Sequence, residues 1–388
     1  MSTAATPLSQ AALDQITTPA YVVDMALLKR NLARAAYIRE ACPCRIVLAL
    51  KSFALPAVFP LMRHALDGTT ASGLYEARLG RESFGREVHV YSPAYTPESL
   101  RKLLLIADHI YFNSVHQIER FLPAIRAHGE GIQVGVRINP GYSMATLGGN
   151  LYDPCSPRSR FGVTRKELDK LPWDAIDILH AHALCESLHD GSIGLIKHMA
   201  KEFAPYIRRV KAVNFGGGHF INKTGYDVEA LIKTIREFRT QFQVEVILEP
   251  GSGLVVDAGY LAAMVLDIVH NDKDIAVLDA SAACHMPDVL EVPYTPPLFG
   301  ADKPGVHPHT YLLAGNTCMT GDVIGEYSFQ APLKIGDKLV FGDMLQYSFV
   351  KNNTFNGAPL PELGLLHDDE SYEIVRRFGY EDFKGRLR

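Results

Sequence analysis

Short runs of apolar and β-branched residues alternate with longer amphipathic stretches through most of the chain. The runs are Arg45–Leu50, Gly68–Ser72, Val88–Tyr91, His109–Asn113, Gln133–Ile138, Ile178–Leu184, Ala212–Phe215 and Val244–Leu248. Each has the length and residue types of a buried strand. Between them, Met25–Ala41 shows Leu27, Leu28, Leu32 and Ala35 at helical spacing. Tyr226–Phe242 begins near Asp227 and shows Val228, Leu231, Ile232, Ile235 and Phe238. Eight buried strands alternating with helices predict an α/β chain built on a parallel (β/α)8 barrel. The second run is the least typical, because Gly68-Thr69-Thr70 has little bulk for a core.

The texture changes after residue 255. Val265–Val269, Ile275–Leu278, Thr310–Ala314, Lys338–Phe341 and Leu345–Phe349 read as short strands separated by turns rich in Pro and Gly. They predict a C-terminal, predominantly β domain. Ala20–Val23 is a further strand, which the pattern allows to pair there rather than with the barrel. The expected division is a barrel over 24–260, with 1–23 and 261–388 forming the β domain.

At 388 residues, the chain is long enough for such a pair of domains. Its 39 Lys and Arg against 43 Asp and Glu give a net charge of −4. That balance lacks the basic footprint of a nucleic-acid binder and leaves room for a cationic small molecule. No apolar run reaches the ~18–20 residues that cross a bilayer, and Met1 to Asp14 does not read as a secretory signal. Six cysteines, Cys42, Cys44, Cys155, Cys185, Cys284 and Cys318, show no CxxC spacing. They predict neither a metal site nor a disulfide framework, and free thiols fit a cytoplasmic protein.

Chemistry in a (β/α)8 barrel sits at the C-terminal ends of its strands. Here those ends carry Lys51, Arg137, His180 with His182 and Cys185-Glu186-Ser187, Gly216-Gly217-Gly218-His219, and Glu249-Pro250-Gly251. A lone strand-end lysine most often snorkels to solvent. A desolvated one is a Schiff-base nucleophile. Triple glycine is a plain turn as often as an anion cradle, but the loops after strands seven and eight are where such barrels hold phosphate. Glu249 could pair with a rim arginine, or keep a pyridine nitrogen protonated so that the ring draws electrons. His182 could be a core histidine or stack on a flat ring. Taken together, the set describes a pyridoxal 5'-phosphate site.

Those residues lie in phrases that resemble the fold-type III pyridoxal-phosphate decarboxylases, whose members include ornithine and diaminopimelate decarboxylases. The phrases are TPAYVVD (18–24), ALKSF (49–53), HALCES (182–187), NFGGGH (214–219), LEPGSG (248–253), CHMPDVLEVPY (284–294), GNTCMTGD (315–322) and YSFVKNNTFNG (347–357). HALCES and CHMPDVLEVPY are most similar to the carboxynorspermidine/carboxyspermidine decarboxylase branch. The resemblance implies an alanine racemase-like architecture in a homodimer with shared active sites. It makes Lys51 the lysine bonded to the cofactor and His182 the stacking residue. Glu249 becomes the pyridine-nitrogen partner, also adjoining substrate. Gly216, Gly217, Gly218 and Tyr347 become phosphate contacts. Cys318 becomes the catalytic cysteine, which reaches into the neighbouring subunit's site. Asp288 and Asp322 are placed at the substrate.

Two positions depart from the ornithine-type pattern. Ser252 stands where those relatives have a phosphate-gripping arginine. Met319 follows Cys318, and the acid is delayed to Asp322. The implied activity is decarboxylation of a small cationic carboxylated polyamine, with Asp288, Asp322 and Glu326 as available counter-charges. The rivals are a diaminopimelate, ornithine or alanine enzyme on the same fold, and an inactive homologue that binds cofactor or partner and regulates. Diaminopimelate, with its second carboxylate, would want a distal arginine.

Overall fold

The computed structural model describes residues 8–129, 131–144 and 153–388. The chain divides into two compact units, Asn31–Leu254 and Met1–Arg30 with Val255–Arg388. The first strand, β1 (Ala20–Asp24), belongs to the second of these. The next eight are β2 (Arg45–Ala49), β3 (Gly68–Ala71), β4 (Glu87–Tyr91), β5 (His109–Phe112), β6 (Gln133–Arg137), β7 (Ile178–His180), β8 (Ala212–Asn214) and β9 (Glu245–Leu248). They close into a parallel barrel in that order, with β2 paired to β9 through Arg45↔Ile247 and Ile46↔Leu248. All eight apolar runs of the sequence are barrel strands. Ile178–Leu184 contributes only its first three residues, and the rest forms the rim.

The weak second run forms its strand because its neighbours come close. A Cβ on Gly68 would lie 2.2 Å from the Glu87 carbonyl oxygen, and one on Gly80 would lie 2.3 Å from Thr69 Oγ1. Inside the barrel, Val47, Tyr111, Ile178, Ala212 and Ile247 form an apolar cluster, flanked by Tyr91. Gly135 makes room for Tyr111, since a Cβ there would sit 2.2 Å from its ring.

Both predicted helices form. Met25–Ala41 starts where Asp24 Oδ1 accepts the Leu27 N–H at 3.0 Å, and it buries Leu28, Leu32, Ala35 and Ile38 on one face. Val228–Phe242 starts where Asp227 caps the Ala230 N–H at 3.0 Å and ends at Gln243, whose φ is +57°. Its buried face carries Leu231, Ile232, Ile235 and Phe238, and Phe238 meets Phe215 edge-on at 5.2 Å.

The second unit is built on a mixed sheet. Its later strands are β10 (Gly259–Asn271), β11 (Lys273–Leu278), β12 (Ala301–Asp302), β13 (His309–Ala314), β14 (Val323–Phe329), β15 (Lys338–Gly342), β16 (Glu362–Leu366) and β17 (Tyr372–Arg376). Their spatial order is β12-β14-β13-β11-β10-β1-β16-β17, and β15 also pairs with β10. β1 runs antiparallel to β10 and parallel to β16, so Ala20–Asp24 is a central strand here. Leu345–Phe349 is not the expected strand. Asp343 and Tyr347 adopt φ of +56° and +57°, which breaks the extended path, and Gln346 Nε2 donates to Asp343 Oδ2 at 2.7 Å to close a turn. A short helix, Ser348–Lys351, follows. β12, β14, β16 and β17 are not among the expected strands; Gly325 and Glu326 interrupt the apolar run of β14.

Candidate active site

The rim residues are gathered by the closure of β2 onto β9. Lys51 follows β2, and Glu249-Pro250-Gly251 follows β9. Ala49 N–H donates to the Pro250 carbonyl at 3.2 Å, locking the two strand ends together. Gly251 is needed for this approach, because a Cβ would lie 2.2 Å from Ser52 Oγ. Ser52 Oγ is buried without a hydrogen-bond partner.

Lys51 opens to the barrel mouth yet is surrounded by protein. Loss of bulk water lowers its pKa first, and the charge of Arg137 lowers it further. Glu249, Cys185 and Glu76 oppose this. Such a lysine sheds its proton more readily than one in water. Arg137 is buried between the rings of Tyr91 and Phe161, at 4.6 and 4.4 Å, and donates to the His182 carbonyl at 3.0 Å.

Glu249 is buried and ionised. Burial alone would raise its pKa. His180, 3.5 Å away, and the Asn214 amide, which donates at 2.8 Å, outweigh burial and hold it at about 2. Burial pushes His180's own pKa down, so the amide bond is the fixed part of this support. His182 is driven well below its ordinary value, by burial first and then by Lys51 and Arg137, and its ring is neutral.

The triple glycine turns out to matter for approach as much as for donation. Gly217 N–H is taken by His182 Nδ1 at 2.9 Å, and Gly216 N–H by Asn214 Oδ1 at 2.8 Å. A Cβ on Gly216 would lie 2.6 Å from His182 Cβ, one on Gly217 2.8 Å from the Glu249 carbonyl oxygen, and one on Gly218 2.4 Å from the Leu184 carbonyl. Gly216 and Gly218 also sit at φ of +69° and +85°.

The remaining expected residues lie in the other unit. Cys318 is exposed, and its N–H donates to Asn356 Oδ1 at 2.7 Å. Asp322 is buried with its carboxylate already engaged. It accepts from Ser281 Oγ at 2.8 Å, Thr317 Oγ1 at 2.6 Å, and the N–H groups of Ala283 and Thr317 at 3.2 and 3.4 Å. In that arrangement it braces the turn that carries Cys318. Asp288 and Glu291 both hold the ammonium of Lys351. Tyr347 precedes the short helix at positive φ, and Glu326 pairs with Lys273 at 2.9 Å.

Sequence reasoning did not single out Glu76, Tyr111, His89 or the support that Asn214 gives Glu249. For Tyr111, His89 and Asn214 the signal was available as polar residues inside otherwise apolar strands, whereas Glu76 lies in the short helix Leu74–Leu79. Among the described residues, no helix is long and apolar enough to cross a membrane.

Comparison with known proteins extends over nearly the whole chain. The family profile described as pyridoxal-dependent decarboxylase, C-terminal sheet domain, matches residues 20–344. The carboxynorspermidine/carboxyspermidine decarboxylase of Campylobacter jejuni is 39% identical over 96% of this chain and 99% of its own. The carboxyaminopropylagmatine decarboxylase of Synechocystis is also 39% identical, over 97% of this chain and 96% of its own. The crystal structure of the C. jejuni carboxynorspermidine decarboxylase complexed with norspermidine superposes with a TM-score of 0.87 at 38% identity, covering 96% of this chain and all of that one.

The titration of Glu249 gives a test that needs no ligand. Its depressed pKa adds stability in full above the ordinary value of 4.5, and this is lost as pH falls toward the folded value. In urea unfolding of the apoprotein, Glu249→Gln is therefore expected to be less stable than wild type at about pH 7, with the deficit shrinking toward about pH 3. A deficit that stays constant across that range would show that the buried charge contributes nothing.

Proposed function

Because the chain belongs to the pyridoxal-dependent decarboxylase family, we propose that it uses pyridoxal 5'-phosphate to decarboxylate carboxynorspermidine and/or carboxyspermidine. The products are norspermidine or spermidine and CO2. The observation that carries the reading is the joint presence, at one barrel rim, of a lysine with lowered pKa, a neutral histidine and a buried ionised glutamate. These groups fit the cofactor on chemical grounds. A buried carboxylate of this kind suits a protonated ring nitrogen, and a readily deprotonated amine suits an aldehyde. When bound, the cofactor's pyridinium ring supplies the sink for the electron pair left as CO2 departs.

Lys51 would hold the cofactor and yield it to the substrate's α-amine. Glu249, staying ionised, would keep the ring nitrogen protonated. His182 would support the face of the ring. The loop of Gly216, Gly217 and Gly218 and the side chain of Tyr347 would serve the phosphate. Gly216 and Gly217 act there by allowing close approach, since their N–H groups are spent. Cys318 is proposed to return a proton to Cα in the partner subunit of a homodimer. Asp288 is proposed to meet the distal ammonium of the substrate; its present guest, the Lys351 ammonium shared with Glu291, has the same chemistry. Asp322 would act on substrate through the turn it braces. The six thiols suit a cytoplasmic setting.

The substrate assay uses purified protein with the cofactor and five candidates: carboxynorspermidine, carboxyspermidine, carboxyaminopropylagmatine, diaminopimelate and ornithine. Release of CO2 and of the matching polyamine from either of the first two, above the other three, is the expected result. The third is included because the Synechocystis relative is as similar as the C. jejuni one. Preference for it would move the substrate while keeping the reaction. Turnover of none would overturn the proposal.

Sharing of sites is tested separately. Mixing inactive Lys51→Ala with inactive Cys318→Ala subunits is expected to restore up to about a quarter of wild-type activity, the random-pairing limit for one intact site in half of the dimers. No recovery in mixed dimers verified by mass spectrometry would exclude shared sites.

A further inference from the structure

A line of buried polar groups runs through the barrel interior beneath Glu249, in a space that such barrels usually fill with aliphatic layers. Asn214 Nδ2 donates to Glu249 Oε1 at 2.8 Å and to Tyr111 Oη at 3.0 Å. Tyr111 Oη lies 3.0 Å from His89 Nδ1, and His89 Nε2 lies 3.2 Å from Glu87 Oε2. Asn214, Tyr111 and His89 are each wholly buried. The line ends at Glu87, the first residue of β4, which is partly exposed and has Arg45 Nη1 at 3.5 Å.

The direction of each bond follows from the donors present. Gly216 N–H donates to Asn214 Oδ1, which fixes the orientation of the amide. Both of its hydrogens therefore face Glu249 and Tyr111. Tyr111 oxygen accepts one of them, so its own hydrogen goes to His89 Nδ1. His89 is then neutral at Nδ1 and donates from Nε2 to Glu87. Every link is made, and bonds in such a chain polarise one another. The neighbouring His109 stacks on His89 with ring centroids 3.9 Å apart and planes 7° apart. Two parallel rings aim their lone pairs side by side rather than at a common point, and both nitrogens of His89 already face partners, Tyr111 and Glu87.

We propose that Asn214, Tyr111 and His89 form a hydrogen-bonded strut that holds the Glu249 carboxylate ionised and fixed in position toward the cofactor's ring nitrogen. The inference rests on the reading of Glu249 as the partner of that nitrogen. Asn214 touches Glu249 directly. Tyr111 and His89 are positioning residues, which act through Asn214. Removing the Tyr111 hydroxyl leaves an Asn214 hydrogen and His89 Nδ1 without partners and frees the amide to turn away.

The test compares Tyr111→Phe, Glu249→Gln and the double variant in the cofactor-loaded enzyme. It reads kcat and KM, and also the ¹⁵N shift of a ring-labelled cofactor. Tyr111→Phe is expected to lower kcat about tenfold with KM changed by less than about twofold, and to move the ring nitrogen toward its unprotonated shift. In the Glu249→Gln background it is expected to add no further loss, since it acts only through Glu249. A second pair guards against loss of folding. His89→Asn keeps an acceptor near the Nδ1 position and should stay close to wild type, whereas His89→Leu should behave as Tyr111→Phe does.

Wild-type kcat and ring shift in Tyr111→Phe, with both altered in Glu249→Gln, would overturn the strut alone. Equal losses in His89→Asn and His89→Leu would do the same. Wild-type kcat and ring shift in Glu249→Gln would overturn the reading of Glu249 and the strut with it.

Discussion

The closure of the first barrel strand onto the last governs the rim. Only two residue pairs, Arg45↔Ile247 and Ile46↔Leu248, join β2 to β9, and they bring segments from opposite ends of the barrel sequence together. Lys51 and Glu249 then lie close enough for their charges to act on one another. The seam tolerates no side chain on Gly251, where a Cβ would meet Ser52, and none on Gly217, where it would meet the Glu249 backbone. The invariant need of this site is thus a steric one at the backbone, and the charged groups are carried on it.

Closure places two opposite charges in surroundings that treat them differently. Lys51 loses water and gains the like charge of Arg137, so its pKa falls below that of a lysine in water. Glu249 loses water too, but it receives an amide hydrogen from Asn214 and faces His180, so its charged form persists. Leaving such a carboxylate buried without those partners would cost several kcal/mol or force it to take up a proton. The same loss of water therefore eases deprotonation of one group while the other stays an anion, and the difference lies in a few fixed donors.

Much of this was legible in the sequence because it is local or periodic. The eight apolar runs, the faces of Met25–Ala41 and Val228–Phe242, and the charged residues at strand ends can each be read from spacing alone. Leu345–Phe349 could not, because the segment is a turn, set by left-handed backbone at Asp343 and Tyr347, that buries Leu345. The column under Glu249 was hidden for a different reason. Tyr111, His89 and Asn214 come from three strands, and only the barrel's register stacks them. The glycine loop was legible as to place but not as to task, since the bonds to Asn214 and His182 that occupy its N–H groups depend on the fold. Asp322 was read as a substrate acid because it follows Cys318, whereas its four donors come from the turn itself and from Ser281 and Ala283.

The central claim is that Lys51, set against Glu249 by barrel closure, is the amine that holds the cofactor. The most direct measurement is borohydride reduction of the cofactor-loaded protein, followed by proteolysis and mass spectrometry of the peptides. The account predicts one modified peptide, containing residues 49–53, with the reduced cofactor's mass on Lys51, and no such peptide from Lys51→Ala. Label on another lysine of the wild-type protein, with Lys51 unmodified, would contradict it.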